Sequence, residues 1–444
     1  MKSDGDAADA VIVGGGFSGT MAAAQLARRG LSSVLIDGSG RAGKGVAYST
    51  REAVHLLNVP AVKMSAWPDA LDDFANRVGD PGVFAERRFF GAYLTGILEE
   101  AQATGLVVAR GESAVGVERD GEAYRVNLAD GTVALGRALV LANGNQPPDP
   151  LRFAESVPDN LFINNPWTDA ARAAVTRVAA VGGDVLIIGT GLTMVDAVLS
   201  LAAAGHGGRI VALSRRGQIP RGHAPYEPAD VGLCDVPCGL MAQWRWLRRR
   251  ATEVGYRAAV DALRPHSQAL WQRLGEVEQR RFLRHARPWW DVHRHRIAPQ
   301  VSVQLKQMIA VGQLEIVAGR VRKMRGERGA LVVEIGRRGG PCSPAPLPQR
   351  REVLKFTLGL NCTGPLGAMG RTRDAVLRQL LDEGAIGTDH LGIGLSTDDE
   401  ARAGERIWAL GPLTKGRYWE IIAVPDIRGQ AADVAASIAK ELGR

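Results

Sequence analysis

Two Rossmann-like α/β units, one assembled from both ends of the chain and the other inserted between them, are what this sequence predicts. Three observations carry that reading. A strand–glycine turn–helix–strand pattern occupies residues 9 to 38, and a second occupies residues 184 to 217. Short apolar strands that run straight into glycine then recur late in the chain.

The first pattern reads Asp-Ala-Val-Ile-Val-Gly-Gly-Gly-Phe-Ser-Gly from Asp9 to Gly19. Ala10 to Val13 is a short apolar run of the kind buried in a parallel sheet. Gly14, Gly16 and Gly19 have the G-x-G-x-x-G spacing. The first permits a tight turn, the second lets a pyrophosphate approach the backbone, and the third lets the helix pack on the strand. Thr20 to Arg29 should continue as a helix whose N-terminal N–H groups face phosphates. A second strand, Val34 to Ile36, ends in Asp37, 23 residues after Gly14, where a ribose diol is held. A lone glycine motif is weak evidence; strand, turn, helix, strand and terminal acid in order are strong.

The second pattern opens with the strand Asp184 to Ile188 and continues Gly189-Thr190-Gly191-Leu192-Thr193-Met194. Gly189 and Gly191 match the first two glycines, while Met194 stands in place of the third. A helix to about Ala204 and a strand from Arg209 to Leu213 follow. That strand ends in Ser214-Arg215-Arg216 instead of an acid, with Arg215 24 residues after Gly191. An acid there repels a 2′-phosphate and a guanidinium pairs with it, so NADPH is expected over NADH. Two unlike fingerprints in one chain imply an FAD site and a nicotinamide site, the acid-bearing one taking FAD.

Between them, Leu106 to Val117, Tyr124 to Leu128 and Thr132 to Leu135 predict a small meander, with Asp130-Gly131 as its hairpin turn. Ala138 to Ala142 runs into Asn143-Gly144. Phe356 to Cys362 runs into Thr363-Gly364, and Ile407 to Leu410 into Gly411-Pro412, before an amphipathic helix from Gly429 to Leu442. The repeat predicts an FAD domain of residues 1–170 and 353–444, with an NAD(P)H domain of residues 171–352 between. A tryptophan- and arginine-rich helical excursion is expected at about 221–310, and a flexible loop over 336–352.

Composition bounds the rest. The 444 residues suffice for two ordinary domains, and 45% apolar with 23% charged residues is a soluble globular profile. No apolar run reaches the roughly 18 residues of a membrane span. The N-terminal stretch MKSDGDAADA has no signal-peptide core, and the cysteines Cys234, Cys238, Cys342 and Cys362 are too few for a disulfide scaffold. A cytoplasmic protein is expected. The net charge of +8 is spread along the chain, which argues against nucleic-acid binding.

With both fingerprints placed, the chain resembles the two-dinucleotide-domain flavoproteins, which include flavin-containing monooxygenases, Baeyer–Villiger enzymes and the lysine and ornithine N-hydroxylases. It is more closely similar to a bacterial family of FAD/NAD(P)-binding proteins. The residues that carry the likeness are Gly43-Lys44-Gly45-Val46-Ala47-Tyr48, His55-Leu56-Leu57-Asn58-Val59-Pro60, Met64-Ser65-Ala66, Arg287-Pro288-Trp289-Trp290-Asp291, His293-Arg294-His295-Arg296 and Gly411-Pro412-Leu413-Thr414-Lys415-Gly416.

The resemblance implies a glutathione-reductase-like FAD domain. In it, Lys44 to Tyr48 and Asn58, Val59, Met64 and Ser65 wrap the FAD, and Gly411 and Pro412 approach its ribityl and pyrimidine end. Phe17, Ser18, Gly38, Ala114, Val115, Asn143 and Gly144 complete the expected FAD set. Thr190, Leu192, Thr193, Ser214, Arg216, Thr363 and Gly364 join Gly189, Gly191 and Arg215 in the expected NADP set. One departure weakens the Baeyer–Villiger comparison: a Phe-x-Gly-x-x-x-His motif becomes Phe153, Glu155 and Asp159 here.

Catalysis is expected to be flavin-centred, with no metal and no catalytic triad. No Cys-x-x-Cys is present, and the Cys234/Cys238 spacing does not favour a redox pair. The leading expectation is an NADPH-consuming, FAD-dependent monooxygenase, N-hydroxylation included, that uses dioxygen on a small nucleophilic, amino-acid-like substrate. A flavin oxidoreductase with another acceptor and a non-catalytic flavin-binding sensor are the rivals. Trp289, Trp290, Asp291, His293, Arg294, His295, Arg296, Lys415 and Trp419 are candidates for the substrate side. Sealing of the domain junction explains the 289–296 cluster equally well. Oligomeric state stays open.

Overall fold

The computed structural model describes residues 7–337 and 351–444. Its strands are β1 (Ala8–Val13), β2 (Ser33–Ile36), β3 (Val107–Arg110), β4 (Ala114–Asp120), β5 (Ala123–Leu128), β6 (Val133–Leu141), β7 (Phe162–Ile163) and β8 (Val185–Ile188). They continue with β9 (Ile210–Ser214), β10 (Leu314–Glu327), β11 (Ala330–Arg337), β12 (Arg351–Phe356), β13 (Leu358–Asn361), β14 (Arg402–Gly404) and β15 (Ile407–Ala409).

The first sheet runs β14-β15-β6-β1-β2-β3, with β5 and then β4 added through β6. β1 is central and buried along its whole length, as its unbroken apolar run requires. The helix Phe17–Arg28 follows directly, and its Met21 and Leu26 pack on Ala431, Val434 and Ile438 of the C-terminal helix Val424–Glu441. Both ends of the chain therefore share one core. The terminal helix begins earlier than Gly429, because Pro425 is tolerated in a first turn. Thr132 to Leu135 and Ala138 to Ala142 are parts of one strand, β6, and the first meander segment divides into β3 and β4. The Asp130-Gly131 hairpin is present, with Gly131 at φ +85°.

The second sheet runs β12-β11-β10-β9-β8-β13-β7. β13 lies parallel to β8, pairing Leu358 with Val185 and Asn361 with Ile188. The strand expected to mark the return to the first domain is thus a strand of the second sheet. β7, N-terminal to residue 171, belongs there too. The physical reason is the turn after β8: it needs a neighbouring strand end to close on, as the turn after β1 needs β6. Of the two late strand-into-glycine patterns, only Ile407 to Leu410 joins the first sheet.

Helices Leu240–Ala262, Ser267–Gln272, Glu276–Arg281 and Arg287–Arg294 form the excursion, and the first bends at Gly255. They enclose a core of their own that includes Leu263, Trp271, Phe282 and Trp290. The helix Pro299–Ala310 does not belong to it. Its Val301, Leu305 and Met308 pack with β8 and β9, as a Rossmann helix should. Cys342 and the central part of the 336–352 loop lie outside the described residues.

A buried ion pair joins the two units. Arg87, at the start of the helix Arg87–Ala103, reaches both carboxylate oxygens of Asp196 on the helix Leu192–Ala203, at 2.7 and 3.0 Å, and donates to the Leu56 carbonyl. His55, itself buried, contacts the Asp196 carbonyl and the Ser200 hydroxyl from the same side. Arg87→Ala should cost about 3–5 kcal/mol of stability, because a buried carboxylate is left unpaired. Denaturant unfolding should then show the Arg87→Ala/Asp196→Ala double variant more stable than the single one; equal losses in both would discard the coupling.

Candidate functional site

The two glycine turns have one geometry. Gly14 and Gly189 both stand at φ +110°, where an L side chain is strained. A Cβ on Gly14 would collide with the carbonyl of Ala142, just past β6, and one on Gly189 with the carbonyl of Cys362, just past β13. Gly19 is pressed onto the Gly14 carbonyl, which brings the helix down on the turn. In the second turn the third glycine's place is held by Met194, fully buried in that unit's core. A Cβ on Gly191 would meet nothing within 4 Å, and one on Gly16 only Gly45, so the backbone is open to a ligand at the second glycine of each turn.

Several of the expected FAD residues lie against the first turn. Asp37 accepts a hydrogen bond from the Ser39 N–H at 3.0 Å, while its Oδ2 is buried with no partner. Asn143 donates to Asp374 at 2.9 Å, and its Oδ1 is likewise buried and unpartnered. Each keeps an acceptor for a ligand hydroxyl or amide, which fits a dinucleotide. Gly15, not singled out by the motif spacing, is constrained as Gly14 is: its Cβ would stand 2.6 Å from that of Asp37. Gly38 lies against Ser113, beside Ala114 at the start of β4, and Val115 is exposed. Gly43 donates to the Gly15 carbonyl at 2.8 Å, bringing Lys44 to Tyr48 over the turn, with Val46 and Ala47 exposed and Tyr48 edge-on to Phe90.

Gly411 lies close to Ser18 at the helix start with φ +64°, and its N–H donates to Gln430 at 2.7 Å. Pro412 is buried in the same turn, and Phe17 packs in the core beneath. Met64 and Ser65 are buried; the Ser65 hydroxyl donates to the Ala70 carbonyl at 2.5 Å and its own carbonyl accepts from Arg428 at 2.9 Å. Val59 packs on the first core, and the Asn58 carbonyl meets His223 Nε2 at 2.9 Å. Gly144, at φ +66°, follows β6.

Around the second turn, Thr190 donates to Ser214 at 2.8 Å, and the Ser214 oxygen accepts from the Gly217 N–H at 3.0 Å. Ser214 is thereby held to the turn, and Arg215 is left exposed. Arg216 is half-buried beside it. Thr363 and Gly364 (φ +92°) follow β13 as Asn143 and Gly144 follow β6. A cleft of about 980 Å³ has Lys44, Val46 and Tyr48 on one wall and Thr193 and Asp196 on another, so members of both expected cofactor sets face one space. Leu192 packs against the core of the second unit.

The 289–296 cluster is organised by Glu420, which sequence reasoning missed. Its buried carboxylate takes the Trp290 N–H at 2.6 Å, lies 2.8 Å from Arg294 and 3.3 Å from His295. Burial alone would raise the Glu420 pKa; His295, Arg294 and the Trp290 N–H outweigh it and hold the group at about 2. Asp291 pairs with Arg287 at 3.2 Å, and Trp289 is exposed. His293 stands edge-on to Tyr256 at 4.6 Å, and Arg296 meets Asp261. Trp419 stacks on Trp271 at 4.7 Å. Burial and then Arg287 lower the Lys415 pKa to about 8. No local signal in the sequence marks Glu420, since Trp290 lies 130 positions away. Cys234 and Cys238 are exposed free thiols and Cys362 is buried. Among the described residues no group of three or more metal-ligating side chains occurs, and no helix is long and apolar enough to cross a membrane.

Comparison with known proteins agrees with this geometry. Residues 11–146 match a family model described as FAD-NAD(P)-binding, so this part of the chain is a FAD/NAD(P)-binding domain. No curated protein matches the chain by sequence. Among solved structures, the reduced form of an ornithine hydroxylase from Pseudomonas aeruginosa is 18% identical with a TM-score of 0.66, covering 98% of this chain and 100% of that one. An ornithine N-hydroxylase from Kutzneria sp. 744, with reduced FAD, NADP⁺ and L-ornithine, is 16% identical with a TM-score of 0.61, covering 98% and 100%. A thioredoxin reductase from Lactococcus lactis is 14% identical with a TM-score of 0.51, covering 98% of each chain. These likenesses give the fold, a two-unit flavoprotein architecture.

His223 yields a pH prediction. Burial lowers its pKa to about 4, against the hydrogen bond from its ring to Asn58, which raises it. The unfolded chain takes up that proton near pH 6.5 and the folded chain does not, so stability must fall as pH drops from about 6.5 towards 4. His223→Gln should flatten the fall in denaturant midpoint over that window; an unchanged slope would remove His223 as its source.

Proposed function

We propose that the chain is an NADPH-consuming, FAD-dependent monooxygenase acting on a small nucleophilic substrate, with N-hydroxylation of an amino-acid-like compound as the reaction. The observation that carries this reading is the doubled turn: two strand-end glycines at φ +110°, one followed by an acid-ended strand and the other by an arginine-ended strand. The N-hydroxylase folds that match both units over nearly the full chain support it.

FAD, when bound, would supply the redox chemistry between NADPH and dioxygen. The chain's own residues bind and orient. Gly14, Gly16 and Gly19 open the backbone to the FAD pyrophosphate, the free Asp37 oxygen takes a ribose hydroxyl, and the free Asn143 oxygen takes an N–H or hydroxyl. Gly189, Gly191 and Thr193 receive the NADPH pyrophosphate, and Arg215, exposed at the end of β9, pairs with the 2′-phosphate. Asn58 to Ser65 and Gly411-Pro412 exclude water from the flavin end.

A second reading, a flavin oxidoreductase with an acceptor other than oxygen, draws on the thioredoxin reductase fold match. A dithiol relay of that kind would need a close cysteine pair; no Cys-x-x-Cys occurs, and Cys362 is buried with its thiol pKa pushed up by burial. Turnover with ¹⁸O₂ tests the choice: label in the product supports oxygen insertion, and full NADPH turnover under nitrogen with an artificial acceptor supports the second reading. Arg215→Ala should raise KM for NADPH by about tenfold or more and leave KM for NADH nearly unchanged. Equal shifts for the two nucleotides would withdraw the 2′-phosphate assignment.

A further inference from the structure

A group of cations, Arg294 and Arg296 buried among them, shares no residue with either glycine turn. The segment 221–223 is laid along 292–297 by three backbone hydrogen bonds: Arg221 N–H to Val292, Ile297 N–H to Arg221, and His223 N–H to Ile297, at 2.9 to 3.0 Å. That pairing brings His223 and Tyr226 beside Arg296. Arg296 is 2% exposed. Its Nη2 meets Asp261, which also accepts from the Tyr226 hydroxyl, and its guanidinium lies 5.8 Å from the Tyr226 ring centre, but its Nε and Nη1 are buried with no hydrogen-bond partner. The His293 Nδ1 is buried and unpartnered as well.

Further cations surround this group. Arg294 is 8% exposed and faces Glu420. Lys63 is exposed; its partial withdrawal from water lowers its proton affinity, and Arg264, Arg296 and Arg294 lower it further while Asp261 opposes them. Arg264 is lowered by burial and by Arg294, with Asp426, Asp261 and Glu420 opposing. The acids in reach are largely committed: Glu420 to Trp290, Arg294 and His295, and Asp261 to Tyr226 and Arg296. Asp426 remains, with a carboxyl pKa raised by burial. A guanidinium withdrawn from water with two open donors is costly unless an acceptor fills them.

We propose that this cluster, centred on Arg296 with Lys63, Arg264 and Arg294 around it, is the receptor for an oxyanion carried by the substrate, a carboxylate or a phosphate group. The proposal rests on the flavoenzyme reading only in calling the carrier the substrate. The contact of His223 with Asn58, and the place of Lys63 between Asn58 and Ser65, join the cluster to the segment assigned to the flavin. A substrate anchored here by its acidic end would present its other end along that segment.

The test uses oxidised holoenzyme without NADPH, at constant ionic strength in chloride. Glutarate and inorganic phosphate are titrated separately, and the melting temperature and tryptophan fluorescence are followed. At least one probe should give a saturable response beyond chloride, glutarate indicating a carboxylate carrier and phosphate a phosphate carrier. Arg296→Gln should weaken that response about tenfold, the loss of one charge-assisted hydrogen bond, while Arg215→Ala leaves it intact. Should Arg296→Gln fail to retain FAD, Lys63→Gln serves as the variant. Absence of a saturable response overturns the proposal, as does a response kept in these cluster variants or lost in Arg215→Ala. Failure of the flavoenzyme reading would show separately, as bound flavin that NADPH does not reduce.

Discussion

The contact on which this molecule depends is a glycine at the end of a central strand, in a left-handed conformation, closed against the carbonyl that ends the neighbouring strand. At Gly14 the neighbour is Ala142 and at Gly189 it is Cys362. Any Cβ at either position would have to displace backbone, so the contact leaves no room for adjustment. Its consequences are geometric: the helix after the turn must start over the strand end with its N–H groups facing outward, and the strands flanking it must end at the same level. The sheets, the position of both chain ends and the cleft between the units all build outward from that closure.

The same contact explains where sequence reading succeeded and where it failed. The turns at Gly14 and Gly189 were legible because the backbone conformation excludes other residues, and the strand-end positions of Asp37 and Arg215 because a parallel unit places the strand end at a nearly constant distance. The role of Phe356 to Cys362 was not legible. A short apolar strand running into glycine looks the same whichever sheet receives it, and only its pairing with Val185 to Ile188 assigns it. The helix Pro299–Ala310 posed the same difficulty, since periodicity shows an apolar face and not the partner that covers it.

Residues that hold parts together over long separations left no local trace. Arg87 and Asp196 are 109 positions apart, and Trp290 and Glu420 are 130 apart. Each is an ordinary charged or aromatic residue in its own segment. Its meaning comes from burial, which makes a paired charge necessary where an exposed one would be optional. In the 289–296 cluster the residue types were evident, and their division of labour was not. Trp290, Arg294 and His295 converge on Glu420, Arg296 turns to Asp261, and Trp289 faces outward.

The segment from Gly411 to Gln430 links these levels of organisation. At one end Gly411 lies against Ser18, fixed by its hydrogen bond to Gln430, so the last part of the chain reads the position of the first turn. At the middle, Trp419 and Glu420 enter the helical excursion, where Glu420 holds a strained φ of +70°. That backbone cost is sustained by three partners from one helix and its end, Trp290, Arg294 and His295. A change at Glu420 therefore cannot stay local: it frees Arg294 beside Arg264 and removes the anchor that sets the excursion against the first unit. The excursion is thus tied to the same short stretch of chain that contacts the first dinucleotide turn. This gives the fold a covalent and hydrogen-bonded route between the cationic cluster and the flavin end.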